Sequence, residues 1–302
     1  MSKPWGWGGF EAYLDTPISK IREEFNIKIL SLLLIHLVLF SCGKTTQEPT
    51  DQSTTIVKQT ETTFQTILDS TQVKGAILIY DPQRKVYHSN SFIKAEETYV
   101  PASTFKITNS IIGLEMGILQ DESTVFEWDG APRDFPAWEQ DLSLREAFQA
   151  SCVPCYQGLA RKIGADSMNA YVQKLDYGKM DIDTNTIDNF WLRGKSRISP
   201  MEQVGFLGRL YEGRLPIKNK TMKTLETIME MESTEEYTLY AKTGLAIDGS
   251  KMVGWFVGYQ ETNDGVYYFA TKLEPTSEEM DRADFLPLRR RVTLAALEHL
   301  IQ

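Results

Sequence analysis

A serine followed three residues later by a lysine is the pair in this sequence best suited to nucleophilic chemistry. Ser103 and Lys106 lie in the segment PASTFK, and apolar residues recur at helical spacing across residues 104–119. If a helix begins at Ser103, both side chains lie on one face of it, and the positive end of the helix favours negative charge on the serine oxygen. A serine and a lysine placed in this way can act as nucleophile and base without any histidine.

Two further motifs carry residues that could complete such a site. Ser151, in the motif SCV, has a hydroxyl that could relay a proton between two lysines. Lys242 opens the motif KTG at the predicted end of a strand, where Gly244 would let a substrate approach the strand edge closely. Each feature taken singly has an ordinary structural explanation, because serine is a frequent helix cap and glycine often follows a strand. Only the combination of these motifs therefore indicates a catalytic site.

In this order and at these separations, the three motifs resemble those of the penicillin-recognising serine enzymes, and specifically of the class D (oxacillinase-type) β-lactamases. The resemblance covers about residues 70–302 and includes the motifs FWLRG, WFVG and LPLR, at residues 190–194, 255–258 and 286–289. One motif departs from the family, which usually has Tyr-Gly-Asn where this chain has Tyr-Gly-Lys at residues 177–179. That motif is mainly structural in the family, so the resemblance implies that catalysis is retained.

The resemblance implies a role for each matching residue. It makes Ser103 the acylated nucleophile and Lys106 a lysine that is carboxylated on its side-chain nitrogen, held by the indole N–H of Trp191. The backbone N–H groups of Ser103 and Leu245 would form the oxyanion hole, and Arg289 would bind the substrate carboxylate. The candidate catalytic residues are Ser103, Lys106, Ser151 and Lys242, the candidate substrate-binding residues are Thr243, Gly244, Leu245 and Arg289, and the candidate residues of the carbamate pocket are Val153, Trp191 and Leu192.

The chemistry explains why the lysine has to be buried. A free lysine has a pKa of about 10.4 and is a cation at neutral pH, whereas burial among apolar side chains lowers that pKa. A neutral Lys106 amine can add CO2, and the carbamate is an anionic base that can serve in both acylation and deacylation of Ser103. The resemblance therefore implies hydrolysis of β-lactams that needs CO2 or bicarbonate but no metal or other cofactor.

Two other functions are compatible with the same motifs. A β-lactam sensor domain shares them but stays acylated, and in the family it is joined to several membrane spans and a protease domain, which are not visible in this sequence. A cell-wall D,D-peptidase usually has Ser-x-Asn where this chain has Ser151, Cys152 and Val153. The combined motifs favour hydrolysis, with a small-molecule β-lactam as the expected partner.

Composition excludes several other classes of function. The 302 residues carry a formal net charge of −9 and are 42% hydrophobic, which fits a globular protein with a large core and argues against nucleic-acid binding through a basic surface. The three histidines are far apart in the sequence, which gives no pattern for a zinc site. Three cysteines are too few for a disulfide scaffold, and we expect Cys152 and Cys155 to be small core residues.

The N-terminal region is typical of an export signal. Residues 29–40 form an apolar run that is preceded by basic residues and is shorter than the roughly 20 residues of a membrane span. The sequence LFSC that ends at Cys42 resembles a bacterial lipobox, which would make Cys42 the lipidated first residue of the mature chain; a plain signal peptide or a buried apolar segment is the alternative. We predict a leader at residues 1–41, a flexible tether at residues 42–60, and a periplasmic protein attached to a membrane only through its lipid.

The remaining pattern predicts an α+β fold of the β-lactamase and transpeptidase type. In the predicted β-lactamase domain, about residues 61–302, short β-rich runs occur near both ends, whereas the middle is mostly helical in pattern. The economical arrangement is one antiparallel sheet built from both termini, with flanking helices and an inserted helical lobe. The predicted sheet lobe comprises about residues 61–112 and 235–302, with strands at 75–81, 85–90, 237–242, 252–259 and 266–273 and a helix at 290–301, and the predicted helical lobe comprises about residues 113–234.

Overall fold

A computed structural model describes residues 55–249 and 251–301 of the chain. The predicted leader, the predicted lipidation of Cys42 and most of the predicted tether lie outside the described residues. Among the helices of the described part, none combines the length and the apolar character that a membrane span requires.

The described strands form a seven-stranded sheet and a separate two-stranded hairpin. The order in the large sheet is β1-β3-β2-β9-β8-β7-β6, and its pairs are antiparallel except for β1 with β3. The strands are β1 (Val57–Thr60), β2 (Val73–Asp81), β3 (Val86–Ser89), β4 (Val125–Phe126), β5 (Leu142–Ser143), β6 (Glu230–Ser233), β7 (Tyr237–Asp248), β8 (Lys251–Thr262) and β9 (Gly265–Pro275), of which β4 and β5 form the hairpin.

Helices cover both faces of the large sheet. The α-helices are α1 (Thr62–Ser70), α2 (Phe92–Glu96), α3 (Lys106–Glu115), α4 (Leu144–Gln149), α5 (Val153–Ile163), α6 (Ala165–Leu175), α7 (Pro200–Tyr211), α8 (Asn219–Met229) and α9 (Arg282–Ile301). Two short 3-10 turns, Ala102–Phe105 and Pro136–Trp138, complete the described helical structure.

Strand β2 shows how the sequence places the sheet between two layers. Because side chains alternate across a strand, Ala76 and Leu78 join the core that packs against the helical lobe. Ile77 and Ile79 join a second core with α1 and α9. A strand buried on both faces carries a nearly continuous apolar run, which is why this segment was identifiable from the sequence.

The predicted α+β class and the sheet built from both termini are confirmed. The late strands form the predicted meander, with turns at residues 248–251 and 262–265. These strands are longer than predicted: β7 continues to Asp248, so the motif KTG that begins at Lys242 lies in the middle of a strand and not at its end. The apolar pattern identified the first half of the strand, at residues 237–242, whereas its last two residues are more exposed and carry a weaker signal.

Three predicted boundaries are wrong for related reasons. Val57–Thr60, assigned to the tether, is the edge strand β1, and Glu230–Ser233, assigned to the helical lobe, is the opposite edge strand β6. All four residues of β1 are exposed, so this edge strand has no buried face to give an alternating pattern. The terminal helix α9 begins at Arg282, eight residues before the predicted start (290 − 282 = 8), because Pro287 inside it interrupts the helical signal.

The helix predicted across residues 104–119 consists of two parts. The 3-10 turn Ala102–Phe105 leads directly into α3, which ends at Glu115. Gly117 has a φ of +71°, a conformation that ends a helix and that glycine adopts at little cost.

Candidate active site

Ser103 and Lys106 are in contact at the start of α3. Ser103 lies in the 3-10 turn, and Lys106 is the first residue of the helix. The Nζ atom of Lys106 donates a hydrogen bond of 3.1 Å to Oγ of Ser103. The lysine side chain is fully buried, whereas Ser103 retains 7% of its surface. The geometry therefore places a fully buried amine nitrogen beside the hydroxyl of a serine that keeps a small exposed surface.

Burial changes the protonation of Lys106. The loss of solvation lowers the pKa of the amine to about 7, because burial disfavours the charged form. No carboxylate of the described chain forms an ion pair with this amine, and its Nζ atom lies 5.1 Å from the ring centroid of Tyr156. A large fraction of Lys106 is therefore neutral at physiological pH and able to react as a nucleophile or base.

Trp191 presents an unpaired donor in this core. Its side chain is fully buried and its ring stacks on Phe105 with the centroids 6.0 Å apart. The indole Nε1 has no hydrogen-bond partner in the described structure. Buried donors are almost always paired. This N–H could therefore donate to an acceptor that is added to the protein. Val153 and Leu192, the other predicted residues of the pocket, are half-buried.

Lys242 and Ser151 form a second pair. Lys242 is buried in β7, and its Nζ donates to Oγ of Ser151 at 2.8 Å and to the carbonyl oxygen of Thr243 at 3.1 Å. Burial lowers the pKa of Lys242 well below its ordinary value, and the positive charges of Lys106 and Arg289 lower it further. In the described structure, no hydrogen bond links this pair directly to Ser103 or Lys106. The site therefore contains two serine–lysine pairs that influence each other through charge.

Ser151 has an uncommon backbone conformation that follows from its place between two helices. Its φ is +54°, in the left-handed region. Its N–H donates to the carbonyl of Phe148 and the N–H of Cys152 donates to the carbonyl of Ala147, which is the hydrogen-bond pattern of a Schellman C-terminus of α4. The same turn starts α5, so Ser151 is fixed in position from both sides.

Gly244 lies directly beneath the nucleophile turn. A Cβ atom at this position would lie 3.2 Å from Cγ2 of Thr104, 3.2 Å from Cβ of Trp255 and 3.3 Å from Cβ of Ala102. The absence of a side chain therefore lets the turn pack against β7, a reason for glycine that the sequence interpretation missed. Thr243 and Leu245, on either side of it, are half-buried.

Arg289 is positioned by backbone carbonyl groups. Its Nη1 donates to the carbonyl of Gly244 at 2.7 Å, and its Nε donates to that of Leu286 at 2.8 Å. Burial lowers the pKa of the guanidinium to about 10, and the charge of Arg282 contributes in the same direction. The guanidinium remains a cation at neutral pH and lies beside the segment of β7 that was predicted to bind substrate.

Several buried residues outside the predicted site support the nucleophile turn. Nε2 of Gln203 donates to Oγ1 of Thr104 at 2.8 Å and to the hydroxyl of Tyr177 at 3.2 Å. Nε1 of Trp255 donates to the carbonyl of Val100 at 2.9 Å. Tyr177 and Trp255 belong to motifs that the sequence had singled out, whereas Gln203 carries no distinguishing local pattern.

The tyrosine–glycine–lysine motif places its lysine outside this network. Lys179 is exposed, and its backbone pairs with that of Arg197 through hydrogen bonds of 2.9 and 2.7 Å. Gly178 has a φ of +54°, and a Cβ there would lie 2.8 Å from the carbonyl oxygen of Arg197. The motif therefore holds its own segment against the segment that contains Arg197. Tyr177 is the residue of the motif that contacts the nucleophile turn.

The interpretation of the cysteine pair as ordinary core residues was wrong. Cys152 and Cys155 form a disulfide, with Cα atoms 5.5 Å apart. Cys152 is buried, but Cys155 is half-buried. Spacing alone could not reveal the bond because it depends on the turn that joins α4 to α5.

The two histidines of the described chain contact α1 or its cap. Nδ1 of His88 is hydrogen-bonded to Oε1 of Glu61 at 2.7 Å. The ring of His299 meets that of Phe64 edge-on, with the centroids 6.4 Å apart. Neither residue takes part in the serine–lysine pairs.

Comparison with known proteins places this chain in a family. The family model described as the penicillin binding protein transpeptidase domain matches residues 45–285. The β-lactamase OXA-48 of Klebsiella pneumoniae is 36% identical over 225 residues, which cover 74% of this chain and 83% of that protein. The chain belongs to the class D β-lactamase family. The predicted family and enzyme class, a serine β-lactamase, are thereby confirmed.

Solved structures agree with this assignment. The solved class D β-lactamase of Sebaldella termitidis superposes on this chain with a TM-score of 0.77 and 36% sequence identity. The match covers 81% of this chain and 97% of that one. The C-terminal domain of the Bacillus licheniformis BlaR penicillin-receptor is similar with a TM-score of 0.74 and 28% identity, over 80% of this chain and 96% of that domain. The fold is therefore shared by proteins described as enzymes and by one described as a receptor.

Proposed function

We propose that this class D protein hydrolyses β-lactam antibiotics by acylation of Ser103 and deacylation by water that carboxylated Lys106 activates. The observation that carries the proposal is the combination of a fully buried Lys106 with a lowered pKa and a fully buried Trp191 whose N–H has no partner. A carboxylated lysine would supply an anionic general base, and its oxygens are acceptors that suit the Trp191 N–H. The residues present therefore fit the modification.

Ser103 is positioned for the first step. Ser103 is the less buried residue of the pair, and its Oγ accepts a hydrogen bond from Lys106. Loss of the serine proton to a base beside it would let Oγ attack the carbonyl carbon of the lactam, which opens the ring and gives an acyl-enzyme. Backbone N–H groups of Ser103 and Leu245 would stabilise the oxyanion, a contribution of about 2.7–4 kcal/mol for each donor.

The Ser151–Lys242 pair suits the proton that the leaving lactam nitrogen needs. The lowered pKa of Lys242 makes its ammonium form a stronger acid than that of an ordinary lysine, and Ser151 Oγ is its hydrogen-bonded partner. We assign to this pair the delivery of a proton through the serine hydroxyl. In deacylation a base on the Lys106 side would take a proton from water as the water oxygen bonds to the acyl carbon, and the proton would pass to Ser103 Oγ as the bond between the acyl carbon and Oγ breaks.

Local cations account for binding of an anionic substrate. The chain has a formal net charge of −9, so its overall field does not attract a carboxylate. Arg289 beside Gly244 and the hydroxyl of Thr243 offer a charge-assisted site on β7 for the carboxylate of a bicyclic β-lactam.

A turnover experiment tests the proposal. The full chain in detergent would be mixed with nitrocefin or ampicillin, with and without added bicarbonate, and with a Ser103→Ala variant as the control. We expect many turnovers for each protein molecule, an increase with bicarbonate and no turnover by the variant. Stoichiometric acylation without turnover would contradict hydrolysis.

A β-lactam sensor is the second candidate function, and the similarity to the BlaR receptor domain favours it. The two functions differ in the fate of the acyl-enzyme, which a hydrolase releases and a sensor retains. Intact-protein mass spectrometry at intervals after mixing with ampicillin distinguishes them, because the acyl adduct disappears from a hydrolase once the substrate is consumed.

We also propose that the protein is exported to the periplasm and anchored through a lipid on Cys42. The apolar run and the sequence LFSC at residues 39–42 support this proposal. Labelling of growing cells with an alkyne-bearing fatty acid should mark the wild-type protein and leave a Cys42→Ser variant unmarked. An unlabelled wild-type protein would contradict lipid anchoring.

A further inference from the structure

The disulfide between Cys152 and Cys155 lies beside the proton-relay serine. Cys152 is the residue that ends the α4 turn through its N–H bond to Ala147, and it is also the N-cap of α5. Cys155 occupies the third position of that helix (155 − 153 + 1 = 3). The bond therefore joins the cap to the first turn of α5, immediately after Ser151.

The non-covalent capping at this position is weak. Sγ of Cys152 accepts a hydrogen bond of 3.2 Å from the N–H of Cys155, but sulfur is a poor acceptor. Serine, threonine, aspartate and asparagine are the residues that usually cap a helix in this way. The chain does use such caps elsewhere: Ser143 and Ser199 form complete capping boxes at α4 and α7. At α5 the covalent bond takes the place of a strong cap.

The relay serine is the residue that needs this support. Ser151 has a φ of +54°, a conformation that is unfavourable for residues with a side chain and persists only where the surroundings hold it. Its Oγ must stay at 2.8 Å from Nζ of Lys242. Val153, a predicted wall of the carbamate pocket, is the first residue of α5 and lies between the two bonded cysteines. Loosening the first turn of α5 would therefore displace both residues.

We infer that the Cys152–Cys155 disulfide is a positioning element that holds Ser151 for proton transfer, so that reduction of the bond lowers turnover. The inference rests on the proposed function. A dithiol reductant converts the disulfide to two thiols and is itself oxidised to a cyclic disulfide, with two electrons and two protons transferred. Cys155 is half-buried and Cys152 is buried, so Cys155 is the more accessible member of the bonded pair. A disulfide at this place also fits the predicted export to an oxidising compartment.

The first measurement establishes whether the bond exists in solution. The full chain is alkylated with iodoacetamide before and after treatment with dithiothreitol, and the peptide that contains both cysteines is analysed by mass spectrometry. We expect alkylation of Cys152 and Cys155 only after reduction. Free thiols at both positions in freshly purified protein would overturn the inference.

The second measurement tests the positioning role. We expect reduction, or the Cys155→Ala substitution, to lower kcat for nitrocefin by about tenfold, which corresponds to about 1.4 kcal/mol in the barrier, with little change in KM. The Cys155→Ala variant itself should not respond to dithiothreitol. Cys152→Ser, which supplies a hydroxyl cap, should retain more activity than Cys152→Ala. An unchanged kcat after complete reduction would contradict the positioning role.

A Ser151→Ala background separates positioning from general stability. If the disulfide acts through Ser151, reduction should leave the residual kcat of Ser151→Ala unchanged while it lowers that of the wild type. An equal loss in both backgrounds would show that the bond does not act through Ser151 and would overturn the inference. The same comparison of acylation rates with a fluorescent penicillin applies if the protein acylates without turnover, so failure of hydrolysis and failure of the positioning role remain distinguishable.

Discussion

Nζ of Lys242 lies 2.8 Å from Oγ of Ser151, although 91 residues separate them in the sequence. The contact joins the middle of β7 to the turn between α4 and α5, and therefore links the sheet to the helical lobe across the site. Ser103 and Lys106 form the corresponding contact within one turn of chain, at 3.1 Å. The chemistry that we propose depends on both contacts.

Removal of the relay hydroxyl should slow the chemical steps. We expect Ser151→Ala to lower kcat for nitrocefin by about 10²-fold, the lower end of the usual contribution of a positioned acid–base group, because Lys242 loses its hydrogen-bonded partner. Steady-state kinetics measure the effect. Ser123→Ala is a matched control, since Ser123 is exposed and bonds only locally to Asp121. Equal losses in the two variants would refute a specific role for Ser151.

Removal of the indole N–H should affect deacylation most. Trp191→Phe keeps an aromatic ring against Phe105 but loses the unpaired donor. Loss of a hydrogen bond to a charged group costs about 1.5–3 kcal/mol, so we expect deacylation to slow by roughly 10–100-fold and the bicarbonate requirement to rise. Rapid-quench kinetics should show accumulated acyl-enzyme. Trp128→Phe, at an exposed residue whose indole bonds to Ala131, is the control. Wild-type deacylation by Trp191→Phe would contradict the assignment.

Activity should fall on the acid side of neutrality. The Lys106 amine has a pKa lowered to about 7 by burial, and only its neutral form adds CO2. Protonation therefore competes with carboxylation below about pH 7, and added bicarbonate should recover part of the lost activity there. The measurement is kcat against pH at two bicarbonate concentrations. Identical pH profiles at both concentrations would argue against carboxylation of Lys106.

Burial of Lys106 should also appear in the pH dependence of stability in CO2-free buffer. The pKa of this lysine is about 7 in the folded chain against an ordinary value of 10.5, so the unfolded state binds more protons between these values and stability rises with pH across that window. Below about pH 7 both states are protonated and the destabilisation is constant. Relative to Lys106→Met, the free energy of unfolding of the wild type should therefore increase from pH 7 to 10, as urea denaturation would measure. A difference that does not depend on pH would contradict the lowered pKa.

A side chain at Gly244 should disturb the nucleophile turn. The methyl group of Gly244→Ala would lie within 3.3 Å of Ala102 and Thr104, and overpacking of this kind costs about 1–3 kcal/mol. We expect a lower melting temperature together with reduced kcat/KM. Gly158→Ala is the control, because no atom outside the neighbouring backbone of its own helix lies within 4 Å of its added Cβ. Wild-type kinetics of Gly244→Ala would show that the turn does not depend on this contact.

The sequence predicted the elements whose signals are local. The runs around Ile77 and Phe256 are apolar because both faces of their strands are buried, and the glycine-containing turns at residues 248–249 and 263–265 separate the late strands. The edge strands β1 and β6 were not predicted, because they bury little apolar surface. The full extent of β7 was missed for the same reason.

Local sequence patterns predicted less of the site than of the fold. Motif spacing and family resemblance indicated both serine–lysine pairs, but only the fold shows that Gln203 holds Thr104 and that Gly244 makes room for the turn. The disulfide was also missed, because two cysteines at this spacing pair only if the chain turns between them.

Isotope-labelled CO2 provides the most direct test of the proposed mechanism. The full chain would be equilibrated with ¹³C-bicarbonate at pH 8 and examined by ¹³C NMR, with Lys106→Met as the reference. We predict a protein-bound carbamate signal in the wild type, its absence in the variant, and its loss in parallel with deacylation activity as the pH is lowered through 7. Full turnover of a β-lactam by protein that shows no such signal would contradict the account.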